Sequence, residues 1–115
     1  MKIAFTAKGP KWESKIDPRF GRTEYLLIYD TESEELIAHD NRDIENEAHG
    51  AGPKTAKLIY DTGAEVIITG NGPGENAALA LEKAGVRIFT GAAMMKVKEA
   101  LEAFNNNKLS EFKKK

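Results

Sequence analysis

Gly70-Asn71-Gly72-Pro73-Gly74-Glu75-Asn76 lies between the apolar run Val66-Ile67-Ile68 and an alanine- and leucine-rich segment that starts at Ala77. This order of residues is typical of a strand, a glycine turn and a helix. Glycines tolerate positive φ angles, and the first N–H groups of a helix have no acceptor within that helix. The loop therefore predicts either an anion-binding turn or a tight turn whose glycines serve only the fold.

The segments on either side of this loop predict an α/β fold. Apolar alternation and periodicity indicate five strands and three helices. The strands are Lys2–Ala7, Thr23–Tyr29, Glu35–Asp40, Ala64–Thr69 and Val86–Phe89, and the helices run from Pro53 to Gly63, from Ala77 to Gly85 and from Met94 to Phe104.

A strand–helix–strand unit is parallel with a right-handed crossover, so the last two strands are expected side by side. The first strand is apolar on both faces and is expected next to the fourth. The prediction is a five-stranded mixed sheet in the order 3-2-1-4-5 with the second strand antiparallel. All of residues 1–115 are expected in one domain, with a polar, lysine-rich tail over residues 105–115.

Composition excludes several classes of protein. The 115 residues are 41% hydrophobic and 30% charged with a net charge of -1, which argues against a nucleic-acid-binding protein. Cys is absent, so no disulfide, nucleophilic thiol or thiolate-held metal site can form. No apolar run is long enough for a membrane span or signal peptide, which predicts a cytoplasmic protein. Abundant Lys and Glu with no Gln hint at a thermophilic source.

A ligand-binding crevice is expected where the strand order changes direction, at the carboxyl ends of the first and fourth strands. The loop after the first strand, the bent segment Asp17–Arg22, the glycine loop and the start of the first helix are candidates for its walls. The candidate binding residues are Lys8, Arg19, Phe20, Gly21, His49, Gly50, Gly52, Gly70, Asn71, Gly72, Gly74 and Asn76.

The candidate residues suit binding better than catalysis. The glycine spacing matches neither a dinucleotide fingerprint nor a P-loop, because no Gly-Lys-Ser/Thr follows. Arg19 and Arg22 suit oxyanion recognition, although either could pair with Asp17 or Glu24. His49 is the best candidate for a metal ligand. No nucleophile with a base and no carboxylate cluster is visible, so no catalytic residue is predicted.

Several of these motifs together resemble one known family. They are the initial Lys-Ile-Ala-Phe strand, Asp17–Arg22 before a strand, Gly50-Ala51-Gly52, and Gly72–Ala77 before Ala84-Gly85-Val86. In order and spacing they are similar to the dinitrogenase iron–molybdenum cofactor biosynthesis family, which includes NifX, the C-terminal part of NifB and the core domain of NafY. The resemblance covers about the first hundred residues.

The resemblance implies a ribonuclease H-like fold and a role related to nitrogen fixation. It further implies binding of an anionic iron–sulfur or iron–molybdenum cluster during cofactor assembly, without catalysis. Cluster-handling members often carry a His just before the Phe-Gly pair, where this chain has Arg19. That departure moves the expectation from metal ligation toward holding negative charge.

The leading hypothesis is a non-enzymatic binding or carrier protein for an anionic ligand, with an iron–sulfur or iron–molybdenum metallocluster or its precursor as the candidate ligand. A cofactor-assembly or acceptor protein is the expected partner, with neither nucleic acid nor membrane. One alternative is an enzyme or regulator that acts on a small phosphorylated metabolite in the same crevice. The other is an interaction module that binds no ligand.

Overall fold

A computed structural model of the protein describes residues 1–42 and 51–112. The elements are β1 (Lys2–Ala7), β2 (Tyr25–Asp30), β3 (Leu36–Asp40), α1 (Ala51–Asp61), β4 (Val66–Ile68), α2 (Glu75–Lys83), β5 (Arg87–Thr90), α3 (Val97–Asn105) and β6 (Ser110–Phe112). Helices α1 and α2 each begin two residues before the predicted position, so Pro53 lies in the first turn of α1.

The strands form one mixed sheet in the order β3-β2-β1-β4-β5-β6. Strands β1, β4 and β5 are parallel to one another, and β2 runs antiparallel to both of its neighbours. The predicted α/β class, the ribonuclease H-like order 3-2-1-4-5 and the three helices are confirmed. The predicted strand count is wrong, because β6 adds a sixth strand antiparallel to β5.

Strand β6 lies in the segment that the sequence predicts to be a polar tail. Three residues are too few to show a periodic pattern, so the pairing with β5 depends on contacts that only the folded chain supplies. Phe112 lies opposite Ile88, and Arg87 donates two hydrogen bonds to the carboxylate of Glu111 at 3.2 and 2.9 Å. Residues 113–115 of the predicted tail lie outside the described residues.

Helices cover both faces of the sheet. Helices α1 and α2 bury Ile59 and Leu81 against one face, where they share a core with Ile67. Helix α3 buries Val97 on the opposite face, in a second core with Phe5. Strands β1 and β4 are buried on both faces because they lie at the centre of these three layers.

Helix α3 begins at Val97, and the prediction that it begins at Met94 is wrong. Met94 has a positive φ of 74° and leaves 79% of its surface exposed. The main-chain N–H groups of Val97 and Lys98 donate to the carbonyls of Ser14 and Trp12 at 2.8 and 3.0 Å. The loop after β1 therefore satisfies the first turn of α3, and it fixes where that helix begins.

Candidate ligand site at the carboxyl edge of the sheet

The bend over residues 16–22 is attached to the end of β1 by main-chain and hydroxyl groups. Asp17 N–H donates to the Thr6 carbonyl at 2.9 Å, and the Thr6 hydroxyl lies 2.8 Å from the Asp17 carbonyl. The Thr6 hydroxyl also lies 2.8 Å from the Thr69 hydroxyl. Because a carbonyl can only accept, Thr6 donates to Asp17 and Thr69 donates to Thr6. This buried chain of bonds joins the ends of β1 and β4 to the bend.

The carboxylate of Asp17 organises the bend from inside. Its side chain has no exposed surface, and it accepts hydrogen bonds from the main-chain N–H groups of Arg19 and Glu24 at 3.0 and 3.1 Å. The Arg19 guanidinium adds two further bonds, Nε to Oδ1 at 3.1 Å and Nη2 to Oδ2 at 3.0 Å. Burial alone raises the pKa of Asp17, but the bonds from Arg19 and Glu24 outweigh it and lower that pKa.

The glycine loop packs directly on this bend. Asn71 N–H donates to the Pro18 carbonyl at 3.0 Å, and Gly70 is buried beneath Pro18. A Cβ atom on Gly70 would lie 2.6 Å from the Cα of Pro18, which is closer than real Cβ atoms approach. Gly70 is therefore required for close packing between the two loops.

The first turn of α1 reaches the same bend. The Thr55 hydroxyl donates to the Gly21 carbonyl at 3.2 Å, and Gly52 belongs to the same end of the helix. Beneath the bend, Phe20 is 4% exposed and lies in the core that α1 and α2 share. The structure thus brings the bend, the glycine loop and the start of α1 to one edge of the sheet.

Helix α2 begins at this edge without a side-chain cap. Its N-cap Gly74 has φ −67° and ψ 173°, and glycine has no side chain with which to cap the first turn. Within residues 1–42 and 51–112, no acceptor is bonded to the main-chain N–H of Asn76 or Ala77. A Cβ on Gly74 would meet nothing within 4 Å, so neither backbone conformation nor packing requires glycine there. The arrangement can donate hydrogen bonds to an anion.

Apart from Gly52, which belongs to the first turn of α1, the predicted binding residues fall into three groups. Arg19, Asn71, Gly74 and Asn76 are exposed at this edge, and so is Lys8, whose main-chain N–H donates to the Lys15 carbonyl at 2.9 Å. Phe20 and Gly70 are buried, and Gly21 and Gly72 are partly buried, the latter with φ 91°. His49 and Gly50 lie outside the described residues. The binding role of the whole set stays a prediction.

The sequence reasoning missed three of the residues that hold the site together, whereas the pairing of Arg19 with the fourth, Asp17, was among its alternatives. Thr6, Asp17, Thr69 and the helix residue Thr55 are all buried polar residues. Thr6 and Thr55 bond to the bend that contains Asp17, and Thr69 bonds to Thr6. One signal was present, because a polar residue within a very apolar strand normally requires a partner. The sequence does not show which partner that is, since Thr6 and Thr69 are 63 positions apart.

The described residues contain no cluster suited to a metal ion, since none of them brings three His, Asp or Glu side chains together. A cavity of about 560 Å³ lies elsewhere, between β2, β3 and the end of α1, and its lining includes Ile28, Ile37, His39 and Leu58. None of the predicted binding residues lines this cavity. This cavity is therefore separate from the edge that the loops build.

No helix in the described ranges, residues 1–42 and 51–112, combines the length and the apolar composition that a membrane span requires.

Comparison with known proteins gives one family match. The model of the family described as dinitrogenase iron-molybdenum cofactor matches residues 1–107. An uncharacterised protein of Methanocaldococcus jannaschii is 31% identical over 116 residues, which cover 97% of this chain and 92% of that protein.

Two solved structures are similar over nearly the whole chain. The apo form of the orange protein from Desulfovibrio gigas has a TM-score of 0.90 and 31% identity, covering 96% of this chain and 92% of the other. A Thermotoga protein provisionally assigned as a NifB protein has a TM-score of 0.82 and 34% identity, covering 99% and 97%. The fold is thus shared with proteins of similar length.

Proposed function

This chain belongs to the dinitrogenase iron–molybdenum cofactor family, and on that premise we propose that it binds and carries an anionic metallocluster of the iron–sulfur or iron–molybdenum type, or a precursor of one. The cluster is cargo, and the protein holds it without catalysing a reaction. One structural neighbour, the orange protein, was solved in an apo form, a description for a protein that also exists with a ligand.

The observation that carries this proposal is the uncapped start of α2. The N–H groups of Asn76 and Ala77 have no acceptor in the described part of the chain, and open space surrounds Gly74. A helix start combines such N–H groups with the positive end of the helix dipole. An anionic cluster at this position would accept hydrogen bonds that the protein itself does not use.

The available donor atoms favour an intact anion over a cluster assembled on protein ligands. The sequence has no Cys, and the described residues gather no set of three metal-ligating side chains. Main-chain N–H groups and the guanidinium of Arg19 can instead hold a cluster through its negative charge. His49 is proposed as a single metal ligand, which alone would leave the cluster exchangeable.

Reversible binding is what a carrier requires. A cluster held by hydrogen bonds and charge can leave without breaking several metal–protein bonds, and an assembly or acceptor protein would receive it. The Arg19 side chain is 47% exposed, although Asp17 offsets much of its charge. We therefore expect Arg19 to orient the anion rather than to supply most of the binding energy.

The proposal is tested by anaerobic titration of the protein with isolated iron–molybdenum cofactor and, separately, with a synthetic iron–sulfur cluster salt, followed by visible absorption. Saturation near one equivalent is expected. Arg19→Gln should weaken uptake several-fold. Arg87→Gln is the matched control, because Arg87 makes the same two-bond carboxylate pair at the opposite edge of the sheet.

Two outcomes would decide against the cluster. Absence of uptake of either probe by the unmodified protein contradicts the proposal. A thermal shift with small phosphate esters, in the absence of cluster uptake, would favour the alternative of an enzyme or regulator that acts on a phosphorylated metabolite. His49→Ala tests the metal ligand separately, since its effect should appear as a change in the absorption spectrum as well as in affinity.

A further inference from the structure

Three lysines lie directly opposite one another at the carboxyl edge of the sheet. An antiparallel bridge pairs Lys15 with Lys96, and a second one pairs Ala7 with Ile16. The second bridge places Lys8 opposite Lys15, in agreement with the 2.9 Å bond from Lys8 N–H to the Lys15 carbonyl. Opposite residues of an antiparallel pair share one face. We call Lys8, Lys15 and Lys96 the lysine row.

The segments that carry the lysine row have an excess of positive charge. In residues 1–42 and 51–112, no carboxylate forms an ion pair with any of the three ammonium groups. The two segments that carry the row, residues 8–15 and 95–99, hold five lysines and two glutamates, which gives a net charge of +3 in a chain whose total is -1. One of those glutamates, Glu99, accepts the main-chain N–H of Lys96 at 2.8 Å.

Met94 lies beside this row and is unusual in two respects. It is 79% exposed, and its φ of 74° lies in the left-handed region that a side chain disfavours. Its neighbour Ala93 would lie 3.3 Å from a Cβ on Gly70, and Met95 accepts a hydrogen bond from Ile16 N–H at 2.8 Å. Met94 is therefore held between the glycine loop and the lysine row.

Both features lower the stability of the isolated protein. Like charges directly opposite each other repel, and a strained backbone that exposes an apolar side chain gains no burial in return. An exposed Met is also a flexible, polarisable contact residue of the kind that binding surfaces use. The lysine row and the strained, exposed Met94 lie side by side, which indicates that contact with another molecule compensates for both destabilising effects.

We propose that Met94 and the lysine row form a docking surface for a protein whose surface presents carboxylates around an apolar contact. Charge complementarity selects an acidic partner, and Met94 supplies the apolar anchor. A nucleic acid fits less well, because the rest of the chain carries a net charge of -4 once the +3 segments are set apart. The surface adjoins the glycine loop, so a docked protein meets the candidate ligand site. That the docked protein donates or accepts cargo rests on the proposed function, whereas the docking itself does not.

The test uses the full chain without any cluster, so that it is independent of cargo binding. The probe is a fluorescein-labelled peptide of twelve residues with leucine at every third position and glutamate at the others. Its binding is measured by fluorescence anisotropy. Lys15→Glu with Lys96→Glu should weaken binding by a factor of ten or more. Lys83→Glu with Lys108→Glu is the matched control, because both lysines are exposed outside the two segments, and it should change affinity less than two-fold.

Two further variants separate docking from folding. Lys15→Glu alone places a carboxylate between two lysines, and Met94→Gly relieves the positive φ, so each should raise the melting temperature while weakening the peptide at least three-fold. The proposal is overturned if the peptide does not bind, if the charge-reversal pair leaves its affinity unchanged, or if both single variants bind as tightly as the unmodified protein. Tighter binding of a twelve-nucleotide single-stranded DNA than of the peptide also overturns it, in favour of a nucleic-acid surface.

Discussion

The guanidinium of Arg19 and the carboxylate of Asp17 form a two-bond pair, at 3.1 and 3.0 Å, in which Asp17 is fully buried and Arg19 is half exposed. The carboxylate also accepts two main-chain N–H groups. It therefore fixes the bend from within, while about half of the Arg19 side chain stays exposed. A buried charge and an exposed one are thus used together to shape a single turn.

Asp17→Asn should destabilise the protein by about 2 kcal/mol, because hydrogen bonds to a charged group contribute roughly 1.5–3 kcal/mol and the amide cannot accept all four. The matched control is Asp40→Asn. Asp40 makes the same contacts to Arg42 two residues on, but both side chains are about half exposed. Because solvent screens an exposed pair, that change should destabilise the protein clearly less than Asp17→Asn. Urea denaturation measures both, and equal losses would contradict a special role for the buried carboxylate.

The contribution of Asp17 should depend on pH in a defined direction. Its folded-state pKa lies below the ordinary value of 3.8. A carboxyl with a lowered folded pKa stabilises the protein fully above its unfolded pKa, and that stabilisation is lost as the pH falls through the folded pKa. The gap in unfolding free energy between the unmodified protein and Asp17→Asn should therefore be constant from pH 7 to about 5 and shrink below about 4.

Denaturation of both proteins at several pH values checks this difference. Exposed carboxyls with lowered pKa, such as Asp40 at about 2, are present in both proteins and cancel in the comparison. A gap that stays constant down to pH 2.5 would show that Asp17 is not the titrating group.

Substitution by alanine should destabilise the protein at Gly70 and have little effect at Gly74. Gly70→Ala forces a Cβ against Pro18 and should cost about 1–3 kcal/mol, as overpacking of a tight interior does. Gly74→Ala meets open space at an ordinary φ and should change stability by less than about 0.5 kcal/mol. Thermal unfolding measures the two effects.

The same pair of variants bears on the ligand site. If a ligand approaches the main chain of α2, Gly74→Ala should weaken cluster uptake although the fold is intact. Normal uptake by Gly74→Ala would place the cargo elsewhere on the edge.

Substitutions of Thr6 and Thr69, whose buried hydroxyls form a hydrogen-bond chain to the Asp17 carbonyl, should lower stability by different amounts. Thr6→Val leaves the Thr69 hydroxyl and the Asp17 carbonyl without partners and should cost about 2 kcal/mol. Thr69→Val removes only the outer donor and should cost about 1 kcal/mol, while Thr6→Ser should retain most of the stability. Chemical denaturation of the three variants measures this order, and a larger loss in Thr69→Val than in Thr6→Val would contradict it.

Much of the fold could be read from local patterns. The apolar strands on both sides of the glycine loop, the right-handed crossover rule and the helix periodicity together predict the strand order and the three helices. The patterns failed where residues act through distant partners. Strand β6 has only three residues and forms by pairing with β5. Met94 fits the helical pattern of α3 but lies outside that helix, because the loop after β1 bonds to the helix start at Val97.

The candidate site likewise has features that the sequence shows and features that depend on tertiary contacts. A glycine loop and a bend with two arginines were visible, and the sequence order placed both at one edge of the sheet. Which glycine serves packing was not visible, because the need for Gly70 arises from Pro18, 52 positions earlier. The buried state of Asp17 and the opposition of Lys15 and Lys96 were hidden for the same reason.

The sequence by itself determined the sheet order and the strand–glycine–helix unit, because hydrophobic periodicity and backbone freedom act over a few residues. It also determined that no thiolate can ligate a metal, since Cys is absent. Only the tertiary structure decided what each loop does. Close packing against Pro18 requires glycine at position 70, whereas Gly74 faces open space. The buried carboxylate of Asp17 holds the guanidinium of Arg19. These roles depend on atoms that come together only when distant segments fold against one another.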